Sequence, residues 1–121
     1  MITEHCQFQM ETTKLGRDVD FKVMVFERRD RRGKRLFAET QCSDPNNFLV
    51  QFVIRDASAF EEVLTKLQRQ MIYRGYVPLR YRVRQRDEET GYERWLPWNE
   101  LDQDAVAALY GEVNPGVELP L

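Results

Sequence analysis

The sequence predicts an α+β fold: a single domain with a twisted antiparallel sheet of about five to six strands, in the order ββββ-α-ββ-α, and helices packed on one face. Three observations support this. Several short segments alternate apolar and polar side chains, as half-buried strands do. Residues 58–75 instead repeat apolar side chains at the spacing of a helix face. Turn-forming residues separate the segments, so successive strands can pair with each other.

The composition is that of one globular domain. The chain has 121 residues, of which 42% are hydrophobic and 31% are charged, and these values are ordinary for a folded protein. A chain of this length buries roughly two thirds of its unfolded surface, enough to fold without disulfides. We expect a domain over residues 1–112 and a C-terminal tail over residues 113–121.

Four strands are expected before the first helix. Alternation predicts the first strand over residues 4–10 and the second over residues 19–27, whose apolar residues on both faces indicate a position inside the sheet. Gly33 can supply the positive φ that closes a hairpin, and residues 36–41 form the returning strand. The apolar segment 48–55 is expected at the centre of the sheet, because apolar surface at an edge promotes aggregation.

Residues 58–75 contain the signals of a complete helix. Ser58 and Glu61 have the spacing of a capping box, and Gly75 is placed to end the helix. The predicted buried stripe consists of Phe60, Val63, Leu64, Leu67 and Met71. A second helix is expected to start after Asn99 or Asp102 and to run through residue 110.

Between the helices, residues 77–86 and 93–98 predict a hairpin. Side chains alternate along a strand, so one face of the first strand is apolar and the other is basic. The apolar face consists of Val77, Leu79, Tyr81 and Val83, and the basic face, which we call the arginine ladder, consists of Arg80, Arg82, Arg84 and Arg86. The expected turn sets Arg84 opposite Trp95 on the basic face and Tyr81 opposite Trp98 on the core face.

The arginine ladder is the first candidate binding site. Guanidinium groups about 6–7 Å apart can bind successive phosphates or an acidic protein surface. Trp95 and Tyr92 lie nearby in the predicted hairpin, and aromatic and arginine side chains are enriched at protein interfaces. The alternative interpretation is a hydrated outer face whose arginines pair with Glu93 and other carboxylates.

The second candidate is the predicted hairpin loop over residues 28–35, which we call the basic segment and which holds six basic residues and one acidic residue, Asp30. Such density is typical of loops that contact phosphates, and it also suits a charged hairpin tip that keeps the protein from aggregating. The candidate phosphate-binding residues are Arg28, Arg29, Arg31, Arg32, Lys34 and Arg35. The ladder and the basic segment form one site only if they share a face.

We identify no catalytic residues in the sequence and expect no metal, cofactor or small-molecule substrate. His5 is the single histidine, and Cys6 and Cys42 lack the spacing of metal ligands or of a catalytic cysteine motif. The glycines do not form a phosphate-binding loop. An enzyme is therefore the least favoured interpretation.

The predicted function is protein binding. The sequence shows no membrane span and no signal peptide pattern, so we expect a cytoplasmic protein with no membrane partner. The net charge of −2 gives no overall attraction to nucleic acid. We predict a non-enzymatic interaction module, an adaptor, regulator or chaperone-like domain, that binds a protein partner or a second copy of itself through the arginine ladder, Trp95 and Tyr92. The alternative is a nucleic-acid-binding module that contacts phosphates through the basic segment and the ladder.

Overall fold

The computed structural model describes residues 1–43 and 50–116 and confirms the α+β class. One antiparallel sheet carries two helices on a single face, as predicted. The elements are β1 (Ile2–Lys14), β2 (Arg17–Asp30), β3 (Gly33–Cys42), β4 (Val53–Ala57), α1 (Phe60–Tyr73), β5 (Val77–Arg86), β6 (Glu93–Trp95), β7 (Asn99–Glu100) and α2 (Gln103–Val113). The strand order is β4-β3-β2-β1-β5-β6, and the short β7 also pairs with β5.

A long hairpin of β1 and β2 forms the middle of the sheet. The two strands pair from Ile2 opposite Arg28 to Lys14 opposite Arg17, with an irregularity between Glu4 and Cys6. Both strands are longer than predicted, because pairing continues through polar segments that show no apolar alternation. Leu15 and Gly16 close the hairpin with positive φ angles of 51° and 77°.

The predicted central position of the fourth strand is wrong: β4 lies at the edge of the sheet, beside β3 alone. Phe52 and Ile54 are nevertheless buried, because this segment packs beneath α1. The side-chain amide of Gln70 in α1 donates to the carbonyl oxygen of Val53 at 3.0 Å and so occupies part of the edge. Residues 48–49 of the predicted strand lie outside the described residues.

The main core lies between the sheet and α1. Phe21 is fully buried, and its ring meets those of Phe52 and Tyr76 edge-on, with centroids 5.4 and 5.2 Å away. The predicted stripe of α1 faces this core, with Phe60 only partly buried. A smaller cluster joins α1, β5 and α2 through Ile72, Val77, Val106 and Tyr110. The helices are therefore fixed to the sheet by apolar burial.

The predicted capping box at the start of α1 is wrong. The cap position is Ala59, and Ser58 lies one residue earlier. The backbone N–H and the hydroxyl of Ser58 donate to the carboxylate of Glu62 at 2.7 and 2.5 Å. These hydrogen bonds, with a further contribution from Lys66, lower the pKa of Glu62 to about 2.

At α2 the structure selects Asp102 over Asn99 as the cap, because the Asp102 side chain accepts from the N–H of Asp104 at 3.0 Å. The helix continues to Val113, the first residue of the predicted tail, and residues 117–121 of that tail lie outside the described residues. Neither described helix is long and apolar enough to cross a membrane.

The buried aromatic cluster generates the first prediction. Phe21→Ala should lower the free energy of unfolding by about 3–5 kcal/mol, since it removes a fully buried ring and leaves a cavity. Urea denaturation measures the change. Lys22→Ala, at the exposed neighbouring position, is the control and should stay within about 0.5 kcal/mol of the unmodified chain. A loss below about 1 kcal/mol for Phe21→Ala would contradict the core assignment.

A second prediction concerns Glu62. Because its folded-state pKa lies below the ordinary glutamate value of 4.5, the contact with Ser58 stabilises the fold above that value, and this stabilisation is lost as the pH falls toward about 2. Ser58→Ala removes the hydroxyl donor and should raise the Glu62 pKa toward 4.5, as measured by NMR titration of the side-chain carboxyl carbon. Ser43→Ala, whose hydroxyl instead contacts Asp20, should leave the Glu62 pKa unchanged.

Candidate functional site

Only one of the two faces of the sheet is covered by helices among the described residues. Both helices pack on the face that carries the core, and no described element crosses the opposite face, which we call the open face. In β5, Tyr81 and Val83 pack against the core, while Arg80, Arg82 and Arg84 are half-buried on the open face, as the alternation predicts. The pairing with β1 shifts at Leu79, where the predicted alternation ends.

On the open face the arginines alternate with the two tryptophans. Trp98 lies 4.2 Å from the guanidinium carbon of Arg80 and 4.5 Å from that of Arg82. Trp95 lies 4.6 Å from Arg82 and 5.7 Å from Arg84. We call this sequence of contacts, Arg80–Trp98–Arg82–Trp95–Arg84, the arginine–tryptophan stack. Each such cation–π contact stabilises an exposed site by about 0.5–1 kcal/mol.

The stack corrects the predicted position of Trp98, which was the core face opposite Tyr81. The predicted register holds where Arg86 opposes Glu93 and Arg84 opposes Trp95. Beyond Pro97 the pairing resumes one residue out of step, so that Tyr81 opposes Asn99. Proline cannot donate to the ladder, and a one-residue shift moves a side chain to the other face of a sheet. Trp98 therefore lies against the arginines.

Carboxylates neutralise much of the ladder. Arg80 contacts Glu11 at 2.5 Å and Glu100 at 3.5 Å, and the hydrogen bond that Arg80 donates to Glu11 is the main reason that the pKa of Arg80 is raised. Arg84 contacts Glu93 at 2.6 Å. Arg82 donates instead to the amide oxygen of Gln9 at 2.9 Å. Among the described residues, neither Arg82 nor Arg86 has a carboxylate partner within 4 Å.

The other half of the open face, on β2 and β3, is more apolar. Phe26 and Phe37 stack with their ring centroids 5.2 Å apart, and Met24 is half-buried beside them. At the β4 edge, Val53 is 46% exposed. No sequence motif marks these residues as a site, although the apolar residues on both sides of the second strand are a signal for a second contact surface.

One row of side chains crosses the whole open face. Strand pairing places its six members side by side: Val53, Glu39, Met24, Gln7, Arg84 and Trp95. We call this set the central row. Within this row, the only contact between a charged group and an aromatic ring is that of Arg84 with Trp95. The side-chain amide oxygen of Gln7 is buried and has no hydrogen-bond partner among the described residues.

The basic segment is a strand extension rather than a loop. Asp30 opposes Gly33, whose φ of 115° confirms its predicted role in the turn. Glu27 contacts Arg29 at 2.9 Å and Lys34 at 3.0 Å. The hydrogen bond that Lys34 donates to Glu27 is the main reason that the pKa of the Glu27 carboxyl is lowered.

Arg35 makes two contacts with the Asp56 carboxylate, at 2.7 and 2.6 Å. Three of the six basic residues are thus paired within the fold. The remaining three, Arg28, Arg31 and Arg32, have no ion pair in the part of the chain that the structure describes.

The ladder and the basic segment lie at different levels of the sheet. Both extend toward the same end of the sheet, because β2 and β5 each run antiparallel to β1. Arg28 is level with Ile2 and Arg84 with Gln7, roughly 15 Å apart along β1. Glu4 and Glu93 lie with Arg84 and Arg86 around one depression in this interval. Tyr92, 79% exposed, lies beside Arg84 and Arg86 in an open depression and is not part of the stack.

Cys6, which packs against the core, does not have the environment of an activated nucleophile. Burial is the main reason that the pKa of Cys6 is raised to about 11, so its thiol is protonated at neutral pH and is a poor nucleophile. His5 lies 3.8 Å from Glu27. Within residues 1–43 and 50–116, no group of three or more His, Cys, Asp and Glu side chains could hold a metal ion.

A double-mutant cycle tests the stack. Trp98→Ala and Arg82→Gln should show a coupling free energy of about 0.5–1 kcal/mol, because each single change removes the same cation–π contact. Urea denaturation of the four chains measures it. The matched control pairs Tyr92→Ala with Arg82→Gln, and it should give no coupling because Tyr92 lies outside the stack. Equal coupling in both cycles would contradict the assigned contacts.

None of the protein-family models, curated proteins or solved structures compared with this chain matches it. The candidate site is therefore interpreted from its own geometry.

Proposed function

We propose that the chain is a non-enzymatic protein-interaction module and that its open face binds a protein partner. The observation that carries this proposal is the combination, on one uncovered sheet face, of large apolar side chains with arginines that are held by ion pairs, a side-chain amide and tryptophan rings. Met24, Phe26 and Phe37 supply apolar area next to the arginine–tryptophan stack. Interfaces are enriched in aromatic residues, methionine and arginine, and depleted in unpaired charge at their centres.

The stack also supports binding through its rigidity. A free arginine side chain loses rotamer freedom when a partner immobilises it, and this loss weakens association. Here Arg80 is held by Glu11 and Trp98, and Arg82 is held by Gln9 and both tryptophans. A partner would therefore meet side chains that are already ordered.

Nucleic-acid binding is the second candidate, and the three unpaired arginines at the hairpin tip favour it. Against it, Glu11, Glu27 and Glu93 lie among the basic groups, and a carboxylate opposes a nearby phosphate. Bases bind single-stranded sites by stacking on aromatic rings. Each tryptophan already contacts two guanidinium groups, which leaves less ring surface for a base.

Site-specific photo-crosslinking in the native host tests the proposal. A photoreactive amino acid at Met24, on the open face, should give discrete protein adducts, whereas the same residue at Tyr73, exposed on α1, should not. Excess unlabelled chain should compete for the Met24 adducts, and excess Met24→Glu chain should compete poorly. Identical adducts at both positions would overturn the assignment of the open face.

Fluorescence anisotropy distinguishes the second candidate. Protein binding as the main function predicts no measurable binding of labelled single-stranded RNA, single-stranded DNA or duplex DNA at about 50 mM salt. The nucleic-acid interpretation instead predicts binding that weakens steeply by about 200 mM salt, because each neutralised phosphate releases counterions. The nucleic-acid interpretation also predicts a smaller salt dependence for the Arg31→Ala/Arg32→Ala chain. Salt-sensitive binding that these two changes weaken in this way would contradict protein binding as the main function.

A further inference from the structure

We infer that the open face binds a second copy of this chain, so that two sheets pack face to face about a two-fold axis parallel to the strands. This inference rests on the proposed function, because it uses the same face and names the partner. Three observations support it: the order of the residues in the central row, the position of Glu39 on β3 relative to the arginine ladder on β5, and the area of the open face.

The size of the open face suits a dimer. Six strands about 4.8 Å apart, which range from three to 14 residues and average roughly 30 Å in length, present on the order of 800 Å². A standard specific interface buries about 800 Å² on each partner. The open face of one copy is thus large enough to form a whole interface with the open face of another.

Charge selects between the two ways of packing the faces symmetrically. A two-fold axis across the strands places β5 over β5 of the second copy, so the arginine ladders oppose each other and repel. An axis parallel to the strands, between β1 and β2, reverses the strand order and places β5 over β3. This second arrangement moves the arginines away from each other and onto the strand that carries Glu39.

The central row fits the second arrangement along its whole length. Reversing six positions brings the first over the sixth, the second over the fifth and the third over the fourth. Val53 then meets Trp95, Glu39 meets Arg84, and Met24 meets Gln7. Each contact occurs twice, as a two-fold interface requires. The apolar residues at the two ends of the row meet, the one acidic position meets the one basic position, and next to the axis Met24 lies against the side-chain amide of Gln7.

Neighbouring rows fix where the contact is centred. In the row that contains Arg82, the same rotation places that guanidinium over Gln41 and Lys22 over Gln9, with no like charges opposed.

One row beyond, Asp20 approaches Glu11 of the second copy, so the closest packing lies on the central row and toward the Phe26–Phe37 end. There Arg86, which has no carboxylate partner within 4 Å among the described residues, comes near Phe37 of the other copy.

Sedimentation equilibrium of the full chain tests the inference. From about 1 to about 500 µM, the mass should rise from 14.5 kDa toward twice that value, since association follows mass action. Glu39→Arg should weaken the dimer by at least about tenfold in Kd, because it replaces two attractive contacts by repulsive ones. Tyr73→Arg adds a positive charge on α1, away from the open face, and should leave the dimer intact.

A charge-reversed chain tests the geometry itself. In Glu39→Arg/Arg84→Glu/Glu93→Arg, the third change keeps the internal pair between positions 84 and 93 attractive. This triple variant should regain most of the affinity that Glu39→Arg loses, whereas Glu39→Arg/Glu93→Arg should not. Thermal melting followed by circular dichroism confirms folding of each variant. A folded Glu39→Arg chain with unchanged dimer affinity, or a folded triple variant without recovery, would overturn the proposed arrangement.

The two proposals fail differently. A chain that stays at 14.5 kDa at every concentration refutes the second copy as partner. If photo-crosslinking from Met24 then still gives adducts with another protein, the open face remains a binding surface for a different partner. If neither self-association nor Met24 adducts are found, the proposed function fails as well.

Discussion

Burial of one face of the sheet beneath α1 is the constraint on which the rest of this structure depends. Phe8, Phe21 and Tyr76 form the centre of that contact and are almost completely excluded from water. Side chains alternate across each strand, so burying these residues assigns every neighbouring residue to the opposite face. The open face, with its arginines and its second apolar set, is therefore a direct consequence of the core.

The arginine–tryptophan stack organises the part of the open face that the core does not reach. β6 contains only three residues, and a pairing that short is weak by itself. Trp95 and Trp98 extend its contact with β5 through guanidinium groups, and Glu93 adds an ion pair. Ion pairs with Glu11, Glu93 and Glu100 balance part of the ladder's charge. Arginines that suggest anion binding in the sequence thus act in the fold as structural partners of rings and carboxylates.

Local pairing also changes the interpretation of the basic hairpin. Counting charges over residues 28–35 indicates a strongly cationic surface, but Glu27 and Asp56 bind three of the six basic side chains. Ion pairs of this exposed kind add little stability, yet they reduce the local potential. What distinguishes the open face is the arrangement of its groups across strands: Val53 and Glu39 lie at one end of the central row, and Arg84 and Trp95 lie at the other.

The sequence by itself determined the α+β class, the buried stripe of α1, the face of the arginine ladder and the hairpin register as far as Trp95. These features depend on periodicity and turn chemistry, which act between residues close in the chain. Only the tertiary structure decided that β4 lies at the edge, that Trp98 joins the arginines beyond Pro97, and that Glu39 shares a row with Arg84. Strand order and cross-strand neighbours depend on contacts between residues far apart in the chain, and no local pattern encodes them.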